Sequence, residues 1–439
     1  MTSFTIVPTT SMQHFRYPDK FGSRVDHVSA YILSNIESGQ FAPGTRLPSV
    51  RNCAKILGVS CETAVKAYAG LVSDGYVEAR ARSGFYVISR NSAGSIGSQL
   101  FSIRERSNPA TLEQLISRKL RKIGVRVEEG EIMVTAGKVD TLQALVRSCM
   151  RAGEKVLVED PAPCEQRSIL MAHGIHSIAV PRMHDGPDID ALRELCKLHA
   201  PRVFLCSTAH HDPTSSHCSA KKALQLLRLA DSFDLTIVED DSFSDLLPPN
   251  GPDTVSCLAS LDDLERVIYV GGFTSTLGRQ MGVDFIAARP AQIAKLRSTI
   301  PGGFDIAGSL NAEIVAELLV SGRYERHCDH VRSRLELQRK QLADELRSIG
   351  IRDFNVPVAG SYLWVSIGET MSKVDSVRSV FGRGPAFAPG SWFSDSAAYS
   401  TYVRIDVSIV GQYPQQSLKQ GLLDLFMPQE LSSIHDIQR

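Results

Sequence analysis

The sequence predicts two α/β domains, a small one near the N-terminus and a larger one whose sheet is mainly parallel. The chain has 439 residues, which exceeds one small domain. Residues 44–87 carry two short helical patterns joined by a turn and followed by a hairpin pattern. Beyond residue 131, short apolar runs alternate with amphipathic helices, which is typical of a parallel sheet covered by helices on both faces.

The domain boundaries follow from shifts in composition. Residues 1–17 show no periodicity and are expected to form a loose arm, whereas the stretch after Asn91 is rich in Ser, Gly and Asn, as linkers are. The predicted boundaries are 18–90 for the first domain, 91–111 for the linker and 112–439 for the second domain. The second domain divides into a large part, about 112–310, and a smaller α+β part, about 311–439.

Composition narrows the class of protein. Lys plus Arg and Asp plus Glu both number 48, so the whole chain gives no sign of a polyanionic partner. Between Phe21 and Arg90, however, eight basic residues face five acidic ones. Nine cysteines without CxxC spacing favour reduced thiols, and no apolar run reaches the roughly 18 residues that a membrane span needs. We expect a cytoplasmic protein with no membrane association.

The first domain should contain three helices. Apolar residues recur at helical spacing from Val25 to Ile36. Ser49 can cap a short second helix that ends at Gly58. Ser60 then caps a third helix to about Asp74, with Val65, Tyr68, Leu71 and Val72 predicted to point inward.

A β-hairpin should follow the third helix. Its predicted strands are Tyr76–Glu78 and Phe85–Ile88, and its tip, Arg80–Gly84, carries arginines suited to phosphate or the minor groove. Two helices joined by a tight turn form a helix-turn-helix, whose second helix enters the major groove. The hairpin would then be the wing of a winged helix.

These residues resemble the GntR winged-helix family in the spellings GTRLPS, LGVS, the Thr63–Tyr68 run and DGYVEARARSGFYV. The resemblance covers roughly residues 21–90 and implies binding of double-stranded DNA. The arginine after the first cap, the start of the recognition helix and the wing tip carry this function in the family. The predicted DNA-binding residues are Arg46, Ser49, Arg51, Ser60, Cys61, Glu62, Thr63, Lys66, Arg80, Arg82, Ser83 and Gly84.

The pair Cys61 and Glu62 departs from the family, which commonly has a basic residue directly after the GVS turn. Glu62 is open to two interpretations. Its carboxylate can accept a hydrogen bond from cytosine N4, or it can be an acid favoured at a helix start by the dipole. The preferred DNA sequence is therefore left open.

The second domain is predicted from its alternating pattern. Expected strands lie in IMVTA, KVLVED, SIAV, RVFLCS, LTIVEDD, RVIYVGG and GVDFIAA, and expected helices span 141–150, 167–173, 189–199 and 220–231. One long helical stretch from about 311 to 348 should follow. The smaller part should contain strands in SYLWVSI, AFAPGSWF and TYVRIDVSIV and a closing helix, 416–426.

The strand ends VTAG, VEDP, TAHHDPTS, IVEDD, YVGGFTSTLG and VRID resemble, in order and spacing, the aminotransferase-like domain of the MocR subfamily. Its members join a winged helix to a fold-type I pyridoxal-phosphate (PLP) domain. The resemblance implies the fold-type I PLP-transferase fold for about residues 116–439. PLP chemistry there needs a lysine that forms a Schiff base. Ser275 stands where that lysine belongs.

Other cofactor positions also depart from the family pattern. Ser242 and Pro163 replace tyrosines, Lys138 and Val139 replace small and amide residues of the phosphate cup, and the phosphate-binding arginine falls on Gly282 or Gln280. These changes predict that covalent PLP is absent. Non-covalent binding of PLP or another small anion stays open.

Some family positions persist. Asp240 matches the aspartate that pairs with the pyridine nitrogen, or it is a strand-end acid in a structural network. Thr274 keeps a hydroxyl at a phosphate-facing position. Arg404 and Arg167 match the arginines that hold a ligand carboxylate, so an acidic effector is one hypothesis. Arg404 lies in an apolar strand and needs a buried partner or an anionic ligand, whereas Arg167 can also be a solvated helix residue.

The sequence contains two clusters of potential metal ligands: His210, His211, Asp212, His217 and Cys218 in one, and His327, Cys328 and His330 in the other. Because these clusters coincide partly with the family pattern, no metal site is predicted. The leading hypothesis is a homodimeric, DNA-binding transcriptional regulator that reads palindromic or repeated half-sites. In it, the degenerate aminotransferase-like domain serves dimerisation and effector sensing. The alternatives are a PLP-dependent enzyme with a regulatory head, and a protein-interaction scaffold.

Overall fold

The computed structural model describes residues 24–37, 40–73, 76–80, 83–88, 111–248, 257–299, 309–368, 386–411 and 422. The predicted N-terminal arm, the linker up to residue 110, and the closing helix other than Leu422 lie outside these residues. The chain divides into two compact units, Met1–Ser107 and Asn108–Arg439. Each unit is built around its own hydrophobic core.

The first unit contains the predicted helices, α1 (Arg24–Glu37), α2 (Val50–Leu57) and α3 (Cys61–Ser73). The Ser49 hydroxyl accepts a hydrogen bond from the Asn52 N–H, and Gly58 ends α2 with φ 63°. This confirms both predicted ends of α2. A side-chain acceptor at the start and a residue free to adopt left-handed backbone at the end satisfy groups that a short helix leaves unpaired.

The prediction for Val65 was wrong. Its side chain is 52% exposed, whereas Ala64, Ala67, Tyr68 and Leu71 are at most 1% exposed. These four positions follow the i, i+3, i+4, i+7 spacing of one helix face. Val65 lies about 100° away from Ala64 around the axis and projects outward.

The wing pairs β1 (Val77–Arg80) with β2 (Gly84–Val87) in antiparallel register. The hairpin is confirmed, with each strand shifted by one or two residues from its prediction. A third extended segment, 44–47, lies along β2: the Leu47 N–H donates to the Phe85 carbonyl, and the Val87 N–H donates to the Thr45 carbonyl. The GTRL segment therefore belongs to the wing, which anchors it to the helices.

The second unit has a large sheet in the order β3-β10-β9-β8-β7-β4-β5-β6. Its strands are β3 (Ile132–Thr135), β4 (Lys155–Asp160), β5 (His176–Met183), β6 (Gly186–Pro187), β7 (Val203–Cys206), β8 (Thr236–Asp240), β9 (Val267–Gly272) and β10 (Asp284–Ala287). Strands β5, β4, β7, β8 and β9 run parallel, and β10 is antiparallel to both neighbours. The mainly parallel sheet is confirmed, and its central strands are buried on both faces.

Helices cover both faces of this sheet. They are α4 (Leu112–Lys122), α5 (Lys138–Cys149), α6 (Cys164–Ala172), α7 (Ile189–His199), α8 (Ala220–Ser232), α9 (Leu258–Asp262), α10 (Thr274–Leu277) and α11 (Pro290–Ser298). One apolar cluster joins the sheet to α4, α7, α8 and α9, and a second joins its other face to α5, α6 and α11. Loops at the carboxyl ends of the parallel strands therefore converge at one edge, where ligands bind in such sheets.

The predicted long helix is interrupted. It forms α12 (Leu310–Val320) and α13 (Arg323–Ser348), because Gly322 adopts left-handed backbone with φ 65°. A small sheet, β11 (Tyr362–Ser366), β12 (Phe387–Pro389) and β13 (Tyr402–Asp406) in the order β11-β13-β12, packs with α13 around a separate apolar cluster.

Two strand predictions in the smaller part were too long. A 3-10 turn, Gly390–Trp392, follows β12 directly. After β13, the Asp406 carboxylate accepts a hydrogen bond from the Ser408 N–H and starts the short helix α14 (Val407–Val410).

Candidate functional site

The recognition helix α3 presents Cys61, Glu62, Val65 and Lys66 to solvent. The Lys66 ammonium lies 2.8 Å from the Glu62 carboxylate, one helical turn away, and both side chains are mostly exposed. The hydrogen bond from Lys66 lowers the pKa of Glu62. Glu62 and Lys66, two of the residues predicted to bind DNA, therefore pair with each other on the helix surface.

The start of α3 is tied together by hydroxyl groups. The Ser60 hydroxyl accepts a hydrogen bond from the Thr63 N–H at 3.1 Å and lies 2.8 Å from the Thr63 hydroxyl. This is an N-cap, which satisfies a backbone donor at the helix start. It orients Thr63 beside Ser60 at the end of the helix that a winged helix directs into the groove.

At the wing tip, Arg80 lies against polar and aromatic neighbours. The Arg80 guanidinium lies 4.4 Å from the Tyr86 ring centroid and 3.3 Å from Glu78. The Ser83 hydroxyl lies 2.7 Å from the Tyr86 hydroxyl. Arg82 lies outside the described residues.

Gly84 is close to Arg46. It has φ 113°, and a Cβ atom there would lie 3.1 Å from Arg46 Nε. Arg46 is exposed beside the wing, and Arg51 is exposed near the start of α2. The described residues that were predicted to bind DNA thus lie on or next to α3, the wing and the start of α2, all within the first unit.

In the second unit, Asp240 ends β8 and has partners on both carboxylate oxygens. The Lys138 ammonium, at the start of α5, lies 3.0 Å from Oδ2. Oδ1 accepts hydrogen bonds from the Ser242 N–H at 3.1 Å and the Ser242 hydroxyl at 2.5 Å. Burial opposes ionisation, but Lys138 and Ser242 together lower the pKa of Asp240, and Asp240 raises that of Lys138.

Ser275 extends this network. It lies in the short helix α10 after β9, and its hydroxyl donates a 2.5 Å hydrogen bond to the Ser242 carbonyl. Thr274, beside it, donates its N–H to the Asp284 carboxylate at 3.2 Å. A continuous polar chain therefore runs from Ser275 through Ser242 and Asp240 to Lys138.

A small cavity adjoins Lys138 and Asp240. Its volume is about 40 Å³, and its lining includes Glu159, Ser207 and His211. A water molecule needs roughly 10–15 Å³ on this measure, so the cavity holds only a few waters. It is well below the roughly 300–1,000 Å³ of pockets that bury drug-sized ligands.

Arg404, on β13, has a buried partner from its own chain. Its Nη1 donates to both carboxylate oxygens of Asp212, at 2.9 and 3.0 Å. The guanidinium also lies 4.3 Å from the Tyr362 ring centroid and 4.9 Å from that of Phe393. Burial opposes the charge, yet Asp212 raises the pKa of Arg404.

Arg167, on α6, forms an ion pair with Asp395, whose side chain is 92% exposed. The Arg167 side chain is largely covered, at 24% exposure. The structure does not bring Arg167 and Arg404 onto a shared partner, since Arg404 pairs with Asp212 and Arg167 with Asp395.

The histidines of the HHDPT segment are buried. The His210 ring stacks on Tyr362 with centroids 6.1 Å apart and meets Phe243 edge to face. Burial lowers the pKa of His210 to about 3 and lowers that of His211 as well.

Within the described ranges, no group of three or more His, Cys, Asp or Glu side chains is arranged to hold a metal ion. None of the helices in those ranges is both long and apolar enough to cross a membrane.

Sequence reasoning missed the two ion pairs of this site. Lys138 was considered only as a replacement in the phosphate cup, and Asp212 only as a potential metal ligand. One signal could have indicated Asp212. It is an acidic residue that follows β7, and Arg404 in an apolar strand needs a partner because a buried charge is costly when unpaired. No comparable signal connects Lys138 with Asp240.

Comparison with known families matches both units. Residues 24–87 match the family model of bacterial regulatory proteins of the gntR family. Residues 90–379, more than half of the chain, match aminotransferase class I and II.

Similar proteins fall into two groups. One contains regulators: the uncharacterized HTH-type transcriptional regulator YdfD of Bacillus subtilis is 21% identical, with 92% of this chain and 96% of YdfD covered. The HTH-type transcriptional regulator TauR of Rhodobacter capsulatus is 23% identical, with 90% and 95% covered.

The other group contains enzymes. The crystal structure of LysN, the alpha-aminoadipate aminotransferase of Thermus thermophilus, superimposes with a TM-score of 0.63 at 23% identity, covering 76% of this chain and 89% of LysN. This likeness establishes the fold-type I aminotransferase fold of the second unit. The chain belongs to the aminotransferase class I and II family and joins that domain to a gntR-family module, the combination found in its MocR-like relatives, which are named as transcriptional regulators.

Proposed function

We propose that this regulator binds duplex DNA as a homodimer and that its aminotransferase-like domain does not carry out PLP chemistry. The ion pair between Lys138 and Asp240 carries the second part of the proposal. By resemblance, Asp240 is the carboxylate that pairs with the pyridine nitrogen of PLP. Here a lysine ammonium of the same chain already neutralises it, so the ring nitrogen would have to displace a partly buried ion pair.

The polar chain around Ser275 supports the same conclusion. A serine hydroxyl cannot form the imine that holds PLP, and Ser275 is already hydrogen-bonded to the Ser242 carbonyl. The cavity beside Asp240 is also far smaller than a cofactor pocket. The residues at this site do not fit covalently held PLP.

Lys138 is a poor substitute for the missing lysine. A Schiff base forms from a neutral amine, and enzymes obtain one by lowering the lysine pKa. Asp240 does the opposite, because its charge raises the pKa of Lys138. This argues against the alternative of a PLP-dependent enzyme with a regulatory head.

The DNA-binding role rests on α3, the wing and the exposed arginines Arg46 and Arg51. One winged helix contacts only a few base pairs, and two-fold pairing doubles the contact set on a palindromic or repeated site. Dimerisation is therefore the role we assign to the aminotransferase-like domain.

The test uses the full-length protein in two assays. Protein incubated with a random-sequence duplex pool should enrich defined sequences, and Arg51→Ala should weaken binding and reduce its salt dependence. The same protein mixed with PLP should show no absorbance band of lysine-bound cofactor. Failure to enrich any sequence would refute DNA reading, and a stable band that a single lysine substitution removes would refute the loss of PLP chemistry.

A second candidate function is non-covalent sensing of a small acid. Among the described residues, Arg404 Nε is buried without a hydrogen-bond partner, so its N–H is available to a further acceptor. An acidic effector would compete with Asp212 for the guanidinium, and Arg167 would have to leave Asp395. Thermal-shift screening of amino acids and dicarboxylates tests this, because a ligand of the native state raises its melting temperature.

A further inference from the structure

Val65 lies at the centre of the exposed face of α3. Its side chain is 52% exposed, with Glu62 and Lys66 beside it and exposed Ala69 one turn further on. It contributes nothing to the core of the first unit, which buries Ala64, Ala67 and Tyr68 instead. A β-branched side chain is also slightly unfavourable in an exposed helix, where alanine would be better. Neither packing nor helix propensity therefore explains a valine at this position.

The polar residues around Val65 have partners on the helix itself. Glu62 and Lys66 form an ion pair at 2.8 Å, and the Thr63 hydroxyl lies 2.8 Å from that of Ser60. Base edges in the major groove offer hydrogen-bonding groups and one apolar group, the 5-methyl of thymine. Val65 is the large apolar side chain that α3 exposes, and it matches that methyl group in chemistry.

We propose that Val65 contacts the 5-methyl group of a thymine, so that each half-site recognised by this regulator contains a thymine at the base pair facing Val65. The inference rests on the DNA-binding function of the module and adds a specificity-determining residue to it. Burying one methyl group against an apolar side chain corresponds to about a fourfold change in affinity.

Deoxyuridine provides the test, because it differs from thymidine only by that methyl group. The full-length protein first selects its preferred duplex from a random-sequence pool. The selected duplex is then synthesised with each thymine replaced in turn by deoxyuridine, and affinities are measured by fluorescence anisotropy. Val65→Ala is the test variant. Val320→Ala is the matched control, because Val320 is 50% exposed at the end of α12 in the other unit and the chemical change is the same.

We expect one thymine per half-site whose replacement weakens binding by wild type and by Val320→Ala about fourfold, while Val65→Ala binds both duplexes equally. Two results would overturn the inference while leaving DNA binding intact: no thymine responds to replacement in wild type, or Val65→Ala keeps the full response. A pool that yields no enriched sequence would instead show that DNA reading itself is absent.

Discussion

Asp212→Ala should strongly destabilise the aminotransferase-like domain. Asp212 and Arg404 are 6% and 9% exposed, and both carboxylate oxygens accept from one guanidinium nitrogen. Removing one partner of a buried ion pair leaves an uncompensated charge and costs about 3–5 kcal/mol. The unfolding entropy is roughly 2.1 cal/mol/K per residue, so for the unit Asn108–Arg439 this loss of stability lowers Tm by about 4–7 °C.

The assay is thermal unfolding of the full-length protein, followed by near-ultraviolet circular dichroism. Asp231→Ala is the matched control, because Asp231 pairs with Arg266 at 3.2 Å but is 78% exposed. An exposed pair contributes about 0–1 kcal/mol, so this control should barely change Tm. Adding Arg404→Met to Asp212→Ala should restore much of the lost stability, because it removes the buried charge. Equal Tm values for the two single variants would refute the reasoning.

Three further predictions concern other elements. Burial lowers the pKa of His210 to about 3 in the folded protein, whereas the unfolded chain binds this proton near pH 6.5. The free energy of unfolding should therefore be independent of this group above pH 6.5 and should fall as the pH decreases below that value. The free energy of unfolding should change by up to about 1.4 kcal/mol per pH unit, and urea titrations at pH 5 and 7 should show a smaller change between the two pH values for His210→Gln. Ser49→Ala removes the α2 cap and should cost the first unit about 1 kcal/mol in urea unfolding, whereas an unchanged midpoint would contradict the capping role. Gly84→Ala places a Cβ at φ 113° and 3.1 Å from Arg46 Nε, so it should cost about 1 kcal/mol and weaken DNA binding; unchanged binding in gel shifts would contradict a role for the wing tip.

Local patterns were sufficient to predict most elements. Ser49 and Gly58 were sufficient to predict both ends of α2, because helix capping depends only on nearby backbone groups. The alternation of strands and helices gave the order of elements in the large sheet. Val65 was wrongly predicted to point inward, because the apolar residues of α3 allow more than one choice of the buried helix face. The small residues Ala64 and Ala67 were overlooked as core residues.

The candidate site was only partly predictable. Its residue types could be found, since Asp240, Ser242, Ser275 and Arg404 all follow or lie within apolar strands. Their partners could not, because Arg404 and Asp212 are 192 positions apart and meet only when the two parts of the fold pack. Long, flexible lysine side chains such as that of Lys138 reach partners that no sequence spacing encodes.

The most direct test of the central claim is chemical trapping. Full-length protein would be incubated with PLP, reduced with borohydride, which fixes any imine permanently, and digested for peptide mapping by mass spectrometry. We predict no stoichiometric pyridoxyl adduct on any lysine, with Lys138 remaining unmodified beside Asp240. A stoichiometric adduct on Lys138, or on any other single lysine, would show that the domain holds its cofactor covalently and would contradict this account.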